Sequence, residues 1–203
     1  MTQDIFNQKQ KLFDRWAPYY DIPFTAAFYL AVQKRLLEFV TLPDSPQVLD
    51  LGCGTGRLLN RLAAKFPTLF GIGLDLSPEM LFHARRNNQH RPRLIFKQGN
   101  VESLPFANQQ FDAVFNTISF LHYPHPQQVL SEVRRVLKPN GYYYLADITV
   151  SDSRKKQTTP FSAGGMRFYS GSKREELGKQ AGLKCLSHHH LLFPVLLTIF
   201  TPH

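Results

Sequence analysis

The sequence predicts an α/β fold on a buried, mostly parallel sheet, and three observations predict it. Apolar, strand-like runs at 48–51, 70–75, 94–97 and 111–116 alternate with segments of helical periodicity. The first run leaves its strand through three alternating glycines into a helix: Val48-Leu49-Asp50-Leu51-Gly52-Cys53-Gly54-Thr55-Gly56-Arg57-Leu58. The second run ends in Asp75, about 20 residues beyond those glycines, the distance one β-α-β crossover needs to bring a carboxylate beside the same pocket.

Composition bounds the rest. The 203 residues, 43% of them hydrophobic, suit one domain over 1–203, with a helical arm at 1–43 and the α/β core at 44–203. The most apolar segment, Leu191 to Phe200, is broken by Pro194 and falls short of the roughly 18 apolar residues of a membrane helix. Met1-Thr2-Gln3-Asp4 does not open like a signal peptide, and Cys53 and Cys185 offer neither a disulfide framework nor metal spacing, so a reducing cytoplasm is expected. The net charge of +9 gathers at Arg85-Arg86, Arg91 to Lys97, Arg134-Arg135-Lys138, Arg154 to Lys156 and Lys173-Arg174. Nucleic acid, an acidic membrane surface or an anionic substrate could all answer such a surplus. No aromatic residues interleave a basic stripe, which favours solvated helix faces and loops.

In chain order, Phe6, Phe13 and Trp16, then Phe28, Leu30, Val32, Leu36, Leu37 and Val40 recur at helical spacing, with Pro18 and Pro23 breaking a short aromatic loop between them. After the glycine turn, Leu58, Leu59, Leu62, Ala63 and Phe66 give a helix an apolar face, and Pro67 ends it. Ser77-Pro78-Glu79 starts the next helix, to about Asn88. Pro126 opens a helix that ends at Lys138-Pro139-Asn140-Gly141, read as a turn before the strand Tyr142 to Ile148. A polar stretch at 151–165, a helix from Ser172 to Gln180, a strand from Leu183 and a final strand from Val195 to Thr201 complete the chain. His188-His189-His190 read as an exposed strand end, because neighbours in a strand alternate faces and cannot all ligate one ion.

The glycine turn separates nucleotide-site classes. A dinucleotide fold wants G-x-G-x-x-G, but here the third glycine comes one residue early; a P-loop needs a lysine-hydroxyl pair that is absent. The D-x-G-x-G-x-G form resembles motif I of the class I S-adenosylmethionine-dependent methyltransferases. Gly99-Asn100-Val101-Glu102-Ser103-Leu104-Pro105-Phe106 is similar to the family's G-D-A-E-x-L-P-F, the segment around Lys138 to its L-K-P-G-G, and Phe13-Asp14 through Tyr20-Asp21 to the F-D-x-x-A-x-x-Y-D opening of its ubiquinone/menaquinone-biosynthesis type.

The resemblance implies a three-layer Rossmann-like sandwich, a seven-stranded, mostly parallel sheet with the last strand antiparallel, and an N-terminal arm over the cofactor. It implies S-adenosyl-L-methionine as cofactor, S-adenosyl-L-homocysteine as product and no metal. Asp50, Gly52, Cys53, Gly54 and Gly56 would cradle the methionine end, Asp75 the ribose, and Leu76, Met80, Asn100, Val101 and Glu102 the adenine; Asn116 would point at the amino-acid end. Asn100 replaces the family's aspartate and Val101 its alanine. His122 and Tyr20 are the catalytic candidates, with Tyr19 and Tyr123 behind them, and a small, apolar or anionic acceptor is expected. An RNA methyltransferase using the basic surface and a non-catalytic binding protein on the same fold stay open.

Overall fold

The computed structural model describes residues 23–153, 158–159 and 165–203. The aromatic motif at 13–21, with Tyr19 and Tyr20, lies outside these residues.

Helix α1 (Pro23–Leu37) buries Val32 and Leu36 completely. Strand β1 (Gln47–Leu51) then leads through the glycines into α2 (Arg57–Lys65). β2 (Phe70–Asp75) precedes α3 (Pro78–Arg86), where Ser77 Oγ accepts from Met80 N–H at 3.1 Å and Pro78 occupies the first turn, the cap that the sequence announces. β3 (Leu94–Gln98) and β4 (Phe111–Thr117) are joined by irregular chain, and a 3-10 turn at Phe120–His122 leads to α4 (Pro126–Val136). β5 (Leu137–Ile148), the short ladder β6 (Thr158–Thr159) with β7 (Met166–Arg167), α5 (Gly171–Gln180), β8 (Leu183–Leu192) and β9 (Val195–Pro202) follow. The β6–β7 ladder was not foreseen; two residues a side are too few for periodicity to register.

The main sheet has seven strands in the order β3-β2-β1-β4-β5-β9-β8. β1 to β5 pair in parallel, and β9 is antiparallel to both β5 and β8, as expected for the last strand. Alternate residues feed two cores. Val48, Ala113, Phe115, Tyr144 and Leu197 face a cluster with α1, α2 and α3, while Leu49, Val114, Tyr143, Leu145 and Phe200 face one with α4 and α5. Strands covered on both faces must be apolar on both, which explains their unbroken hydrophobic runs. The order reverses at β1, flanked by β2 and β4, and there the carboxyl ends of the strands open a crevice.

The Lys138-Pro139-Asn140-Gly141 segment corrects its sequence reading. It is a wide bulge of β5 rather than a turn before it: Phe111 pairs with Leu137 and Ala113 with Tyr142, leaving residues 138–141 opposite Asp112 alone. Lys138 Nζ and Asp112 carboxylate close the bulge at 2.8 Å. Proline and glycine mark a break in pairing, and a bulge breaks it without leaving the sheet.

Candidate functional site

The glycine turn forms at the carboxyl end of β1. Gly52, Gly54 and Gly56 all have positive φ, at 65°, 51° and 75°, which L side chains resist. Gly52 and Cys53 N–H both donate to Leu74 O, and Gly54 N–H donates to Asp75 Oδ2 at 2.8 Å. The loop is therefore sewn to the end of β2. A Cβ on Gly54 would meet nothing within 4 Å, so its bare face is open. Gly56 serves packing instead, since a Cβ there would sit 2.7 Å from the Phe96 ring.

Two clefts meet at Gly52 and Gly54. The first is lined by Asp75, Leu76, Met80, Gly99, Asn100, Val101, Ile118, Ser119, His122, Tyr123 and Pro124. The second is lined by Tyr29, Gln33, Asp50, Cys53, Thr55, Arg57, Leu58 and Thr117. The fold thus brings Asp50, Gly52, Cys53, Gly54, Asp75, Leu76, Met80, Asn100, Val101 and His122, all expected from the sequence, to one crevice. Tyr29 and Gln33, which α1 adds to its lining, carry no sequence signal, because no local pattern says where a distant helix will cross.

The two carboxylates sit in different surroundings. Asp50 is 2% exposed, and burial, then the neighbouring Asp75 charge, pushes its carboxyl well above the usual range. A cationic group of a ligand placed beside it would favour the ionised form. Asp75 accepts from Gly54 N–H and, through Oδ1, from Ser77 N–H at 3.0 Å. Burial and the same two carboxylates push the Cys53 thiol well up, so it is no nucleophile, and its sulfur packs against Gly73.

Three expectations fail on geometry. Asn116 is completely buried, on the α4 face of β4 with Val114, and its Nδ2 donates to Leu51 O at 3.2 Å and Tyr123 Oη at 2.8 Å. It locks β4 to β1 behind the loop, while Thr117, on the opposite face, reaches the cleft. Glu102 is 5% exposed, and its carboxylate turns away to accept from His125 N–H at 3.1 Å and meet His125 Nδ1 at 3.0 Å. Tyr123 is unsuited to act as a base: burial pushes its hydroxyl far up, and that hydroxyl is bonded to Asn116 and, at 3.0 Å, to Ser119 Oγ. Asn100 does line the cleft, but its Oδ1 already accepts from Glu102 N–H at 2.9 Å. Glu132 and Arg135 of α4 clamp the same segment. Glu132 accepts from Leu104 N–H at 2.7 Å, and Arg135 donates to Leu104 O and Phe106 O at 3.0 and 2.7 Å.

Asp147, at the end of β5, supports the cleft from behind and was not foreseen. It is 2% exposed; Oδ2 accepts from Leu121 N–H at 2.9 Å, fixing the 3-10 turn that carries His122, and Oδ1 accepts from Ile148 N–H at 2.7 Å. Burial raises its carboxyl to about 6, against the pull of Arg174 and these N–H groups. The folded protein then holds a proton that the unfolded chain releases near pH 3.8, so this group's stabilising contribution is complete below about pH 4 and lost as pH rises through about 6. We expect the difference in unfolding free energy between the protein and Asp147→Asn to change by about 3 kcal/mol across that window. Denaturant titrations of both at several pH values check this, and parallel curves would refute it. Asp50 titrates in the same direction in both proteins and cancels.

An α/β sheet with this strand order, a glycine loop at its switch point and acids ending β1 and β2 define a Rossmann-like methyltransferase fold. Residues 48–141 match the family described as a methyltransferase domain, and that part of the chain belongs to the class I S-adenosylmethionine-dependent methyltransferases. It is 33% identical over 157 residues to the malonyl-[acyl-carrier protein] O-methyltransferase of Herminiimonas arsenicoxydans, covering 77% of this chain and 57% of that one. It is 32% identical over 145 residues to the demethylmenaquinone methyltransferase of Chlorobaculum parvum, covering 68% and 58%. The chain spans between 32% and 58% of these and other curated relatives it matches. Among solved structures, it aligns with a chain of the complex between the Haloferax volcanii Trm112 methyltransferase activator and a methyltransferase, at TM-score 0.84 and 25% identity over 94% of this chain and 98% of that one. A methyltransferase of Aquifex aeolicus shares the fold at TM-score 0.77 and 19% identity, over 94% and 98%.

Proposed function

We propose that the chain binds S-adenosylmethionine across the two clefts and transfers its methyl group to a small-molecule acceptor. The observation that carries this reading is the open face of Gly54 between two differently charged surroundings. On one side Asp75 accepts the ribose hydroxyls, and Leu76, Met80 and Val101 give the adenine an apolar wall, with Asn100 at its edge. On the other, Asp50 faces the ammonium group, while Arg57 and the N-terminus of α2 receive the carboxylate. The bound cofactor supplies a methyl group on a sulfonium leaving group that departs neutral, so the chain need only orient the acceptor and exclude water. Ile118, Pro124 and His122 form the mouth where an apolar acceptor would lie. His122 is the group there able to take a proton, should the acceptor carry one. The demethylmenaquinone named for one relative supports a small-molecule acceptor for this chain, and the malonyl group on acyl-carrier protein named for another is a small acceptor group on a carrier.

Calorimetric titration with S-adenosylmethionine and S-adenosylhomocysteine tests the reading. Micromolar binding, about −8 kcal/mol, is expected for both; no heat with either would overturn it. Assembly with an activator protein of the Trm112 kind is a second reading. The Haloferax volcanii likeness supports it, as do the sheet's outer strands, where Ile95 of β3 and Leu186 of β8 are about half exposed. Light scattering of a mixture with such a protein would show the added mass, and an unchanged mass would remove this reading.

A further inference from the structure

Outside both clefts, α5 and β8 bring together three side chains of different chemistry. The pairing of β8 with β9 slips between Cys185 and Ser187. In a regular strand Cys185 and His188, three positions apart, would point to opposite faces; the bulge puts both toward α5. His188 Nε2 lies 2.8 Å from Glu175 Oε1 and 3.7 Å from Cys185 Sγ. Ligand atoms of all three residues lie within 4.8 Å of one another. His188 Nδ1 is hydrogen-bonded at 3.0 Å to Oγ1 of the fully buried Thr198, which fixes the ring and aims Nε2 at the other two groups.

His189 takes no part. Its ring stacks on Phe39 at 4.2 Å, and its Nε2 bonds to Ser187 Oγ at 2.9 Å. The alternation that excludes the histidine run as a chelate therefore holds for His188 and His189. What it omits is the bulge, which recruits Cys185, and the helix that adds Glu175. Nor is the run an exposed strand end, since His188 and His189 are half-buried within the paired strand.

We propose that Glu175, Cys185 and His188 form a zinc site, with water completing a tetrahedron. One sulfur, one imidazole nitrogen and one carboxylate oxygen suit Zn²⁺, whereas Mg²⁺ and Ca²⁺ prefer oxygen alone. The divalent charge balances one thiolate and one carboxylate. Without metal, burial and then the Glu175 carboxylate push the Cys185 thiol up to about 11, so loading releases that proton to solvent. The ion would tie α5 to the outermost strand β8 and stabilise the fold by mass action.

The test uses the full chain, stripped with a chelator and titrated with Zn²⁺ against a chromogenic competitor and, separately, with Co²⁺. One equivalent should bind, with a near-ultraviolet sulfur-to-cobalt charge-transfer band and a higher Tm. Cys185→Ser should abolish the band and weaken Zn²⁺ binding about 100-fold or more, beyond the roughly tenfold expected for the outer-shell change Thr198→Val. Glu175→Gln, at an exposed position, is a second variant that should weaken Zn²⁺ binding with the fold intact. Failure to take up one equivalent overturns the proposal. So does binding that persists unchanged in Cys185→Ser, which would assign the metal to the histidine run alone.

Discussion

Replacing Asp75 by alanine is expected to weaken S-adenosylmethionine binding by about 100-fold or more while leaving the chain folded. Two losses add. The ribose hydroxyls lose a charged acceptor, and hydrogen bonds to charged groups are worth about 1.5–3 kcal/mol each. The Gly54 N–H and Ser77 N–H also lose their partner, so only the Gly52 and Cys53 bonds to Leu74 O still hold the loop between the clefts to β2. Against this, one of two mutually repelling buried carboxylates disappears, which offsets part of the cost to stability. Removing it also lets the Asp50 carboxyl fall back toward its ordinary range, because the Asp75 charge is part of what raises it. Calorimetry with S-adenosylhomocysteine and a denaturant titration of the same variant separate the two effects. Unchanged affinity would remove Asp75 from the ribose role.

A paired substitution at Gly52 and Gly54 should split folding from binding. At Gly52 a Cβ would lie 2.6 Å from Ser119 Oγ and 2.7 Å from Ser119 Cβ, within the network that holds Tyr123 and Leu51. Gly52→Ala combines a left-handed backbone cost of about 1–2 kcal/mol with overpacking of about 1–3 kcal/mol, so a loss of about 2–5 kcal/mol in stability is expected. At Gly54 only the backbone cost applies, since nothing lies within 4 Å. Gly54→Ala should therefore keep most of its stability, about 1–2 kcal/mol lower, yet lose cofactor binding, because the methyl group fills the face on which the ligand lies. Equal stability loss at both positions, or full affinity in Gly54→Ala, would contradict this account. Thermal unfolding and calorimetry read the two quantities independently.

These residues were legible in the sequence because their requirements are local. Positive φ at alternating positions demands glycine, and a single crossover fixes where Asp75 must return. The parallel sheet was equally plain, since strands buried on both faces carry unbroken apolar runs. Asn116, expected at the crevice, is bonded to Leu51 O and Tyr123 Oη behind it, and alternation gives the cleft direction to Thr117. Glu102 was misassigned because Asn100 turns the chain, and the carboxylate swings to the start of α4. Asp147, Tyr29 and Gln33 could not be found at all, and Arg174, read with Lys173 as part of a solvated basic face, is buried. Their roles depend on contacts with elements far away in sequence, as when Arg174, 2% exposed, donates to Leu196 O and Asp147 O. Proline and glycine in the Lys138 segment signalled an interruption correctly, but whether an interruption turns the chain or bulges it is decided by the neighbouring strand.

Ile118 joins β4 to the cleft mouth with φ at 51°, a conformation that a β-branched residue adopts only under constraint. Its N–H donates to Ala146 O at 2.8 Å, and the adjoining turn hangs on Asp147, so the constraint comes from β5. The mouth of the site is thus sprung from a strand that touches neither cleft. Substitutions along β5 are expected to move this mouth while the glycine loop, bonded to β2, keeps its place.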